Sequence, residues 1–367
     1  MRRPLLYMKL GGKLDLPASE RIQILVDDHK MTALELTPPA AGAMQKLADD
    51  LFWIRFSLPF RLNHINLFAF DTDDGWLLMD CGIKGATTAN QWQALLDGPL
   101  ANQSVCGIIV SHYHADHVGY AGALAARTGA PIYMGAVEHE QAQWGLGQTD
   151  LEYAAIMEAA YQRFGLAEPH IAAARDTGNY YRSLVGDLPN VTIVSEKDQF
   201  TTKAGCWQIR FDAGHSPGHM SLTDSARKFH ICVDFLLPRI SPNISARLRD
   251  LDDDMLADYL QYLNSMADCP ADWLIIPGHD WPYFGGGVRA AQLTAHHAAR
   301  LEQLLGTIGD KPVSTNDAML ALFPFDMTGH EIFFASCEAR AHLNHFVTTG
   351  HLQHVDRENG VDLFAKC

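Results

Sequence analysis

The sequence predicts an α/β fold whose chemistry gathers at strand ends. Three observations carry that expectation. Short apolar, β-branched runs alternate with longer helix-prone stretches from residue 51 onward. A cluster of ligand-type side chains, Ser111-His112-Tyr113-His114-Ala115-Asp116-His117, follows directly on the buried-strand pattern Val105–Val110. Further candidates each stand just past another apolar strand: His215 after Trp207–Phe211, Asp234 after Phe229–Val233, and His279 after Trp273–Ile276. The carboxyl edge of an open α/β sheet is where such folds place their sites.

Residues 1–50 show weak periodicity and a Pro38-Pro39-Ala40-Ala41-Gly42 break, and read as an N-terminal extension wrapped on the main domain. Strands are predicted over Leu51–Phe56, His64–Phe70 and Trp76–Met79, the last two forming a hairpin around Asp71-Thr72-Asp73-Asp74-Gly75. A helix over 90–96, the strand 105–110, an Ala-rich helix near 119–128 and a short strand at 131–134 follow. Residues 137–186 are helix-prone and aromatic, with Trp144, Tyr153, Tyr161, Phe164, Tyr180 and Tyr181. They read as a helical insertion and a candidate substrate wall, since pockets for organic ligands are mostly apolar. Trp144 and Tyr181 are its candidate substrate contacts. Strands resume at 191–195, 206–212 and 229–233, then a helix-rich stretch 250–267, the strand 273–276 and a long helix over 288–308. That completes a main domain of residues 51–309. In residues 310–367 a helix over 331–348 precedes two short strands, 352–355 and 361–364, around Asp356-Arg357-Glu358-Asn359-Gly360. Helices followed by a hairpin resemble a winged helix.

Composition narrows the class. At about 150 residues per domain, 367 residues suggest roughly two domains. With 47% hydrophobic and 19% charged residues, the chain is neither disordered nor fibrous. The net charge of −15 repels phosphate backbones and anionic membranes, which argues against nucleic acid as a partner. No apolar run approaches the ~18 residues of a membrane span. The apolar stretch after Met1-Arg2-Arg3 is too short for a signal peptide. The seven cysteines form no CxxC pair and several lie in apolar runs, so they read as reduced core thiols of a cytoplasmic protein.

The 18 histidines are the unusual feature. In an extended stretch His112 and His114 point the same way. Two neutral imidazoles on one side can hold a divalent ion, and Asp116 with His117 can serve a second. The bland alternative, an exposed histidine-rich turn, does not explain His215, Asp234 and His279 in matching positions.

The order HxHxDH, then His215 in Gly214-His215-Ser216-Pro217-Gly218-His219, then Asp234, then Pro277-Gly278-His279-Asp280 resembles the metallo-β-lactamase-fold hydrolase superfamily over about residues 50–300. The tail Glu338–Phe346 with Gly350-His351-Leu352 is similar to the C-terminal winged-helix-like domain of its β-lactamase-like branch. The resemblance implies an αβ/βα sandwich with a small C-terminal domain and a dinuclear metal site between the sheets. It places His112, His114 and His215 on the first ion, Asp116, His117 and His279 on the second, and Asp234 between them. It gives Asp80 and His219 supporting positions behind the ligands. Zn2+ suits imidazole and carboxylate ligands, with Fe or Mn compatible. Such ions share a hydroxide for hydrolysis, with Asp116 as the catalytic carboxylate. The expected substrate is a small ester, lactone or thioester, with Arg239 as a candidate anchor. A metal-dependent nuclease, weak β-lactam hydrolysis as a side activity, and a non-catalytic regulator are the alternatives. The tail is expected to pack on the main domain or at a homodimer interface.

Overall fold

The structure, a computed structural model, describes residues 30–367; residues 1–29 of the expected extension lie outside the described residues. The chain enters with the two-residue strand β1 (Thr32–Ala33) and then builds an antiparallel meander from β2 (Gln45–Ala48), β3 (Leu51–Ser57), β4 (His64–Thr72) and β5 (Gly75–Met79). Helix α1 (Ala86–Asp97) crosses to β6 (Val105–Val110). The short α2 (Ala115–Val118) and α3 (Ala121–Thr128) cross to β7 (Ile132–Gly135). Four helices, α4 (Ala136–Gly147), α5 (Asp150–Phe164), α6 (Glu168–Asp176) and α7 (Tyr180–Leu184), lead to β8 (Val191–Val194). Each crossover joins parallel neighbours, so the first sheet runs β2-β3-β4-β5-β6-β7-β8.

A second sheet follows from β9 (Gln199–Thr201), β10 (Cys206–Asp212), β11 (His219–Asp224), β12 (Phe229–Val233), α8 (Met255–Met266), β13 (Leu274–Pro277) and β14 (Tyr283–Phe284). Its order is β1-β14-β13-β12-β11-β10-β9. The long α9 (Gly286–Thr307) then leads to β15 (Val313–Ser314), α10 (Thr315–Leu322), α11 (Gly329–Thr348), β16 (Leu352–Glu358) and β17 (Val361–Lys366). The last strands form a separate sheet of order β15-β17-β16.

Period-two alternation explains the layering. Trp53, Phe68, Leu77, Met79 and Ile109 of the first sheet meet Trp207, Met220, Leu222, Ile231 and Ile276 of the second in a shared core. Their neighbours point outward, where Ile54, Phe56, Leu67 and Ile108 pack under Trp92, Leu95 and Leu124 of α1 and α3. On the other side Cys232 and Ile275 pack under Tyr259, Tyr262 and Leu263 of α8 and Leu293 of α9. The result is an α/β sandwich of two sheets with helices on both outer faces. Reciprocal capping boxes start α5 (Thr149, Glu152), α10 (Ser314, Asp317) and α11 (Thr328, Glu331).

Three features differ from the sequence expectation. Two strands come from residues expected to be an extension: β1 edges the second sheet and β2 the first. Edge strands of two and four residues are too short to show periodicity. Strand β11 begins at His219, inside what reads as a loop, because Pro217-Gly218 punctuates the sequence just before it. Third, much of the aromatic insertion is not a substrate wall. Met157, Tyr161, Phe164 and Ile171 of α5 and α6 share one core with Leu304, Met319, Leu343 and Phe364. The insertion and the C-terminal unit therefore bury each other's apolar faces.

All seven cysteines are free, and Cys81, Cys232 and Cys337 are buried. Among the described residues, no helix is long and apolar enough to cross a membrane.

Candidate metal centre

The ligand-type residues converge because their strands end side by side. Strand β6 ends at Val110, and the single turn of α2, which starts at Ala115, carries Asp116 and His117. Strand β12 ends in a register shift, with Val233 at φ 44°, and delivers Asp234. Positive φ is costly for a β-branched residue and is held only by the surrounding packing. Strand β13 is parallel to β12 and ends at Pro277, two residues before His279. Gly278 lacks a side chain for a visible reason: a Cβ there would stand 2.3 Å from Asp234 Oδ1.

Three imidazoles meet first. His112 Nε2 is 3.0 Å from His114 Nδ1, which is 2.9 Å from His215 Nε2. Tetrahedral ligation at ~2.0–2.1 Å places donor atoms about 3.3 Å apart, so this spacing fits a single small ion. The second group is Asp116, His117 and His279; Asp116 Oδ2 lies 3.8 Å from His117 Nε2 and 3.6 Å from His279 Nε2. Asp234 Oδ2 stands between the groups, 3.5 Å from His215 Nε2, 3.4 Å from His117 Nε2 and 3.3 Å from His279 Nε2. Asp234 Oδ1 and His117 Nε2 are buried without a hydrogen-bond partner. Both are of the atom types that hold divalent ions. The residues present fit two divalent ions.

Outer contacts turn each ring the right way. His117 Nδ1 donates to Asp80 Oδ2 at 2.8 Å, His215 Nδ1 to the Asn243 carbonyl at 3.0 Å, and His279 Nδ1 to the His64 carbonyl at 2.7 Å. In each case Nε2 is left facing the centre. Ser111 Oγ donates to Asp80 Oδ2 at 2.8 Å and accepts from His112 Nδ1 at 2.9 Å. Asp80 also takes the Ser111 backbone N–H at 2.8 Å, so this one buried carboxylate orients two histidines. His219 accepts the Asp234 N–H at 3.4 Å, and its ring lies 4.8 Å from that of His112.

Electrostatics divide the site. Burial pushes His112 and His114 well below the ordinary histidine range, so both are neutral and ready to ligate. Burial also opposes charge on His117, yet Asp234, Asp116 and Asp80 together hold it well above that range. His279 is raised by Asp234 and Asp116 against the same burial. The carboxylates thus create a negative potential at the second group that favours a cation.

Other supports were invisible as motifs. Asn66 Nδ2 donates to the Pro277 and Asp280 carbonyls at 2.9 and 3.2 Å, and Arg55 also bonds Asp280 O. Glu138 and Asn243 belong to the same class. Each acts across a long sequence separation, so spacing alone carries no signal for them.

The candidate substrate residues part company. Arg239 is 62% exposed, 3.6 Å from Asp280 Oδ1 and 5.5 Å from the Trp281 ring centre, beside His279. Tyr181 donates its hydroxyl to the Tyr113 carbonyl at 2.7 Å, so it braces the histidine loop. Trp144 is half-buried on α4.

The two sheets and this centre define a class of metal-dependent hydrolases. The sequence matches the family described as Metallo-beta-lactamase superfamily over residues 61–279, and the Metallo-beta-lactamase-like, C-terminal domain over residues 301–367. A β-lactamase domain protein from Burkholderia ambifaria is 30% identical, with a TM-score of 0.80 over 92% of this chain and 99% of that one. A metallo-β-lactamase family protein from Thermus thermophilus is 22% identical, with a TM-score of 0.72 over 88% of this chain and 100% of that one. The inverting sec-alkylsulfatase Pisa1 from Pseudomonas sp. is 15% identical, with a TM-score of 0.51 over 83% of this chain and 50% of that one. No curated protein matches the chain. The chain belongs to the metallo-β-lactamase superfamily of metal-dependent hydrolases.

Proposed function

We propose that the protein is a dinuclear hydrolase of small, partly apolar esters, lactones or thioesters, working with two divalent ions, Zn2+ first among them. The observation that carries the dinuclear reading is Asp234 Oδ2, within 3.5 Å of imidazole nitrogens from both groups. His112, His114 and His215 would hold one ion, Asp116, His117 and His279 the other, and Asp234 both. When bound, such ions supply a water nucleophile at neutral pH and Lewis-acid polarisation of the attacked oxygen.

The chain's own residues do the rest. Asp116 is the most open of the proposed carboxylate ligands, 22% exposed. Its Oδ2 faces His117 and His279, leaving Oδ1 to take a proton from the attacking water. The segments flanking the ligand loops support the proposed substrate class. Phe60 precedes His64 in the β3–β4 loop, Tyr180 precedes Tyr181, and Trp281 follows His279. The His330 ring stacks on Phe60 at 5.8 Å and lies 6.0 Å from Tyr180 and 4.9 Å from Phe334. This half-exposed aromatic cluster suits an acyl or aryl group, and Arg239, stacked on Trp281, is the candidate anchor. The net charge of −15 disfavours a polyanion.

The test is a chromogenic panel of esters, lactones, thioesters, β-lactams and phosphodiesters, run with defined metals. The highest kcat/KM is expected on an ester, lactone or thioester, lost on chelation and restored by Zn2+. A phosphodiester as best substrate, or activity indifferent to the chelator, would overturn the reading.

A further inference from the structure

Glu138 lies in the first turn of α4, fully buried, and has no ligand position in the centre described above. Its two oxygens take three donors from two different loops. Oε2 accepts the Tyr113 N–H at 2.8 Å, between His112 and His114. Oε1 accepts the Ser216 hydroxyl at 2.7 Å and the Gly218 N–H at 2.6 Å, just after His215. The carboxylate therefore ties together the two segments whose imidazoles meet at His114, which lies within 3.0 Å of both His112 and His215. The close approach is built in: a Cβ on Gly218 would stand 2.9 Å from Val137 Cβ, so only glycine lets that loop reach α4.

We propose that Glu138 is a positioning residue that sets the spacing of the His112, His114 and His215 triad, and so the affinity of the first ion. The inference rests on the proposed ligand assignment. A carboxyl group suits this geometry, since the Tyr113 and Gly218 N–H groups only donate and the Ser216 hydroxyl adds a third bond; burial raises Glu138 to about 7, and these three donors favour its ionised form. Ordinary fold support does not account for the arrangement, because every bond that Glu138 makes ends beside a ligand loop.

The experiment is a chelator competition titration of full-length Glu138→Gln and Ser216→Ala with Zn2+, alongside melting curves with and without metal. Glutamine keeps the volume but turns an amide N–H₂ toward one of the three donors. The first equivalent of Zn2+ is expected to bind about 10–100-fold more weakly in Glu138→Gln, the range usual for groups that orient metal ligands. Ser216→Ala, which removes one of three bonds, should show a smaller loss in the same direction and covers the case in which Glu138→Gln does not fold. The metal-induced rise in melting temperature should shrink in both. If both variants melt lower with and without metal by equal amounts, and their titration curves overlay the wild type, Glu138 supports only the fold and the proposal is wrong. If the wild-type chain itself binds no Zn2+, the ligand assignment fails first, and the proposal with it.

Discussion

Asp234→Ala is expected to retain less than one metal ion per chain after gel filtration and to lose kcat/KM by on the order of 10³-fold, about 4 kcal/mol of transition-state stabilisation. The reason is its position. Asp234 is 7% exposed, and its Oδ2 lies at 3.3–3.5 Å from His215, His117 and His279, which belong to both triads. No neighbouring carboxylate can replace it, because Asp116 faces only the second group. The same variant should relax the charge balance of the metal-free protein. Asp234 is the largest influence raising His117 and His279 against burial, so both imidazoles should become harder to protonate without it. Asp116→Ala provides the contrast: it should keep the first ion, lose the second and fall in kcat. Metal content by elemental analysis, read beside kinetics on the best panel substrate, checks both variants. Two tightly held ions and more than a tenth of wild-type activity in Asp234→Ala would remove the bridging role.

The part of this centre that could be read from sequence was the part whose chemistry is local. Four ligand-type residues within six positions after a β-branched strand are informative without any tertiary knowledge. His215, Asp234 and His279 were legible for a related reason: each follows an apolar run, and strand ends are where a sheet brings distant segments together. What escaped was long-range. Glu138 is 78 residues from Ser216, and Asn66 is 211 residues from Pro277. Their contacts depend on how sheets stack rather than on any spacing. Burial also reassigned residues that sequence treats alike. Tyr161 and Phe164 share aromatic character with Tyr180 but sit in the core shared with the C-terminal unit, whereas Tyr180 is exposed beside His330. A helical insertion reads the same from sequence whichever of its faces the rest of the chain covers.

Arg340→Ala is expected to cost about 3–5 kcal/mol of stability, the usual result of stripping one partner from a buried ion pair. The side chain is 0% exposed. Its Nη1 meets Asp362 Oδ2 at 2.9 Å, its Nε meets Asn344 Oδ1 at 3.0 Å, and a third bond reaches Asp252. Arg163 of α5 binds the same two aspartates, at 2.8 Å to Asp362 and 3.1 Å to Asp252. The network thus links the insertion, the segment before α8, α11 and β17, around the core that contains Phe164 and Phe364. Alanine would take one of two arginines from the buried Asp362 and open a gap under two aromatic rings. Lysine should recover only part of the loss, because one ammonium cannot reproduce three bonds in a planar fork. The effect should reach the metal centre as well. Glu338, two residues before Arg340 on α11, accepts from Asn243 Nδ2 at 3.2 Å, and the Asn243 carbonyl holds His215. A loosened α11 would free that carbonyl and with it the ring of a proposed first-ion ligand. Thermal melts should therefore fall by roughly 4–6 °C, at about 1.3 °C per kcal/mol for a chain of this length, and Zn2+ affinity should fall with them. A variant that melts within about 2 °C of wild type would show that hydrophobic packing alone holds the C-terminal unit. Lowered stability with unchanged Zn2+ affinity would show that the Glu338–Asn243 contact does not transmit to His215.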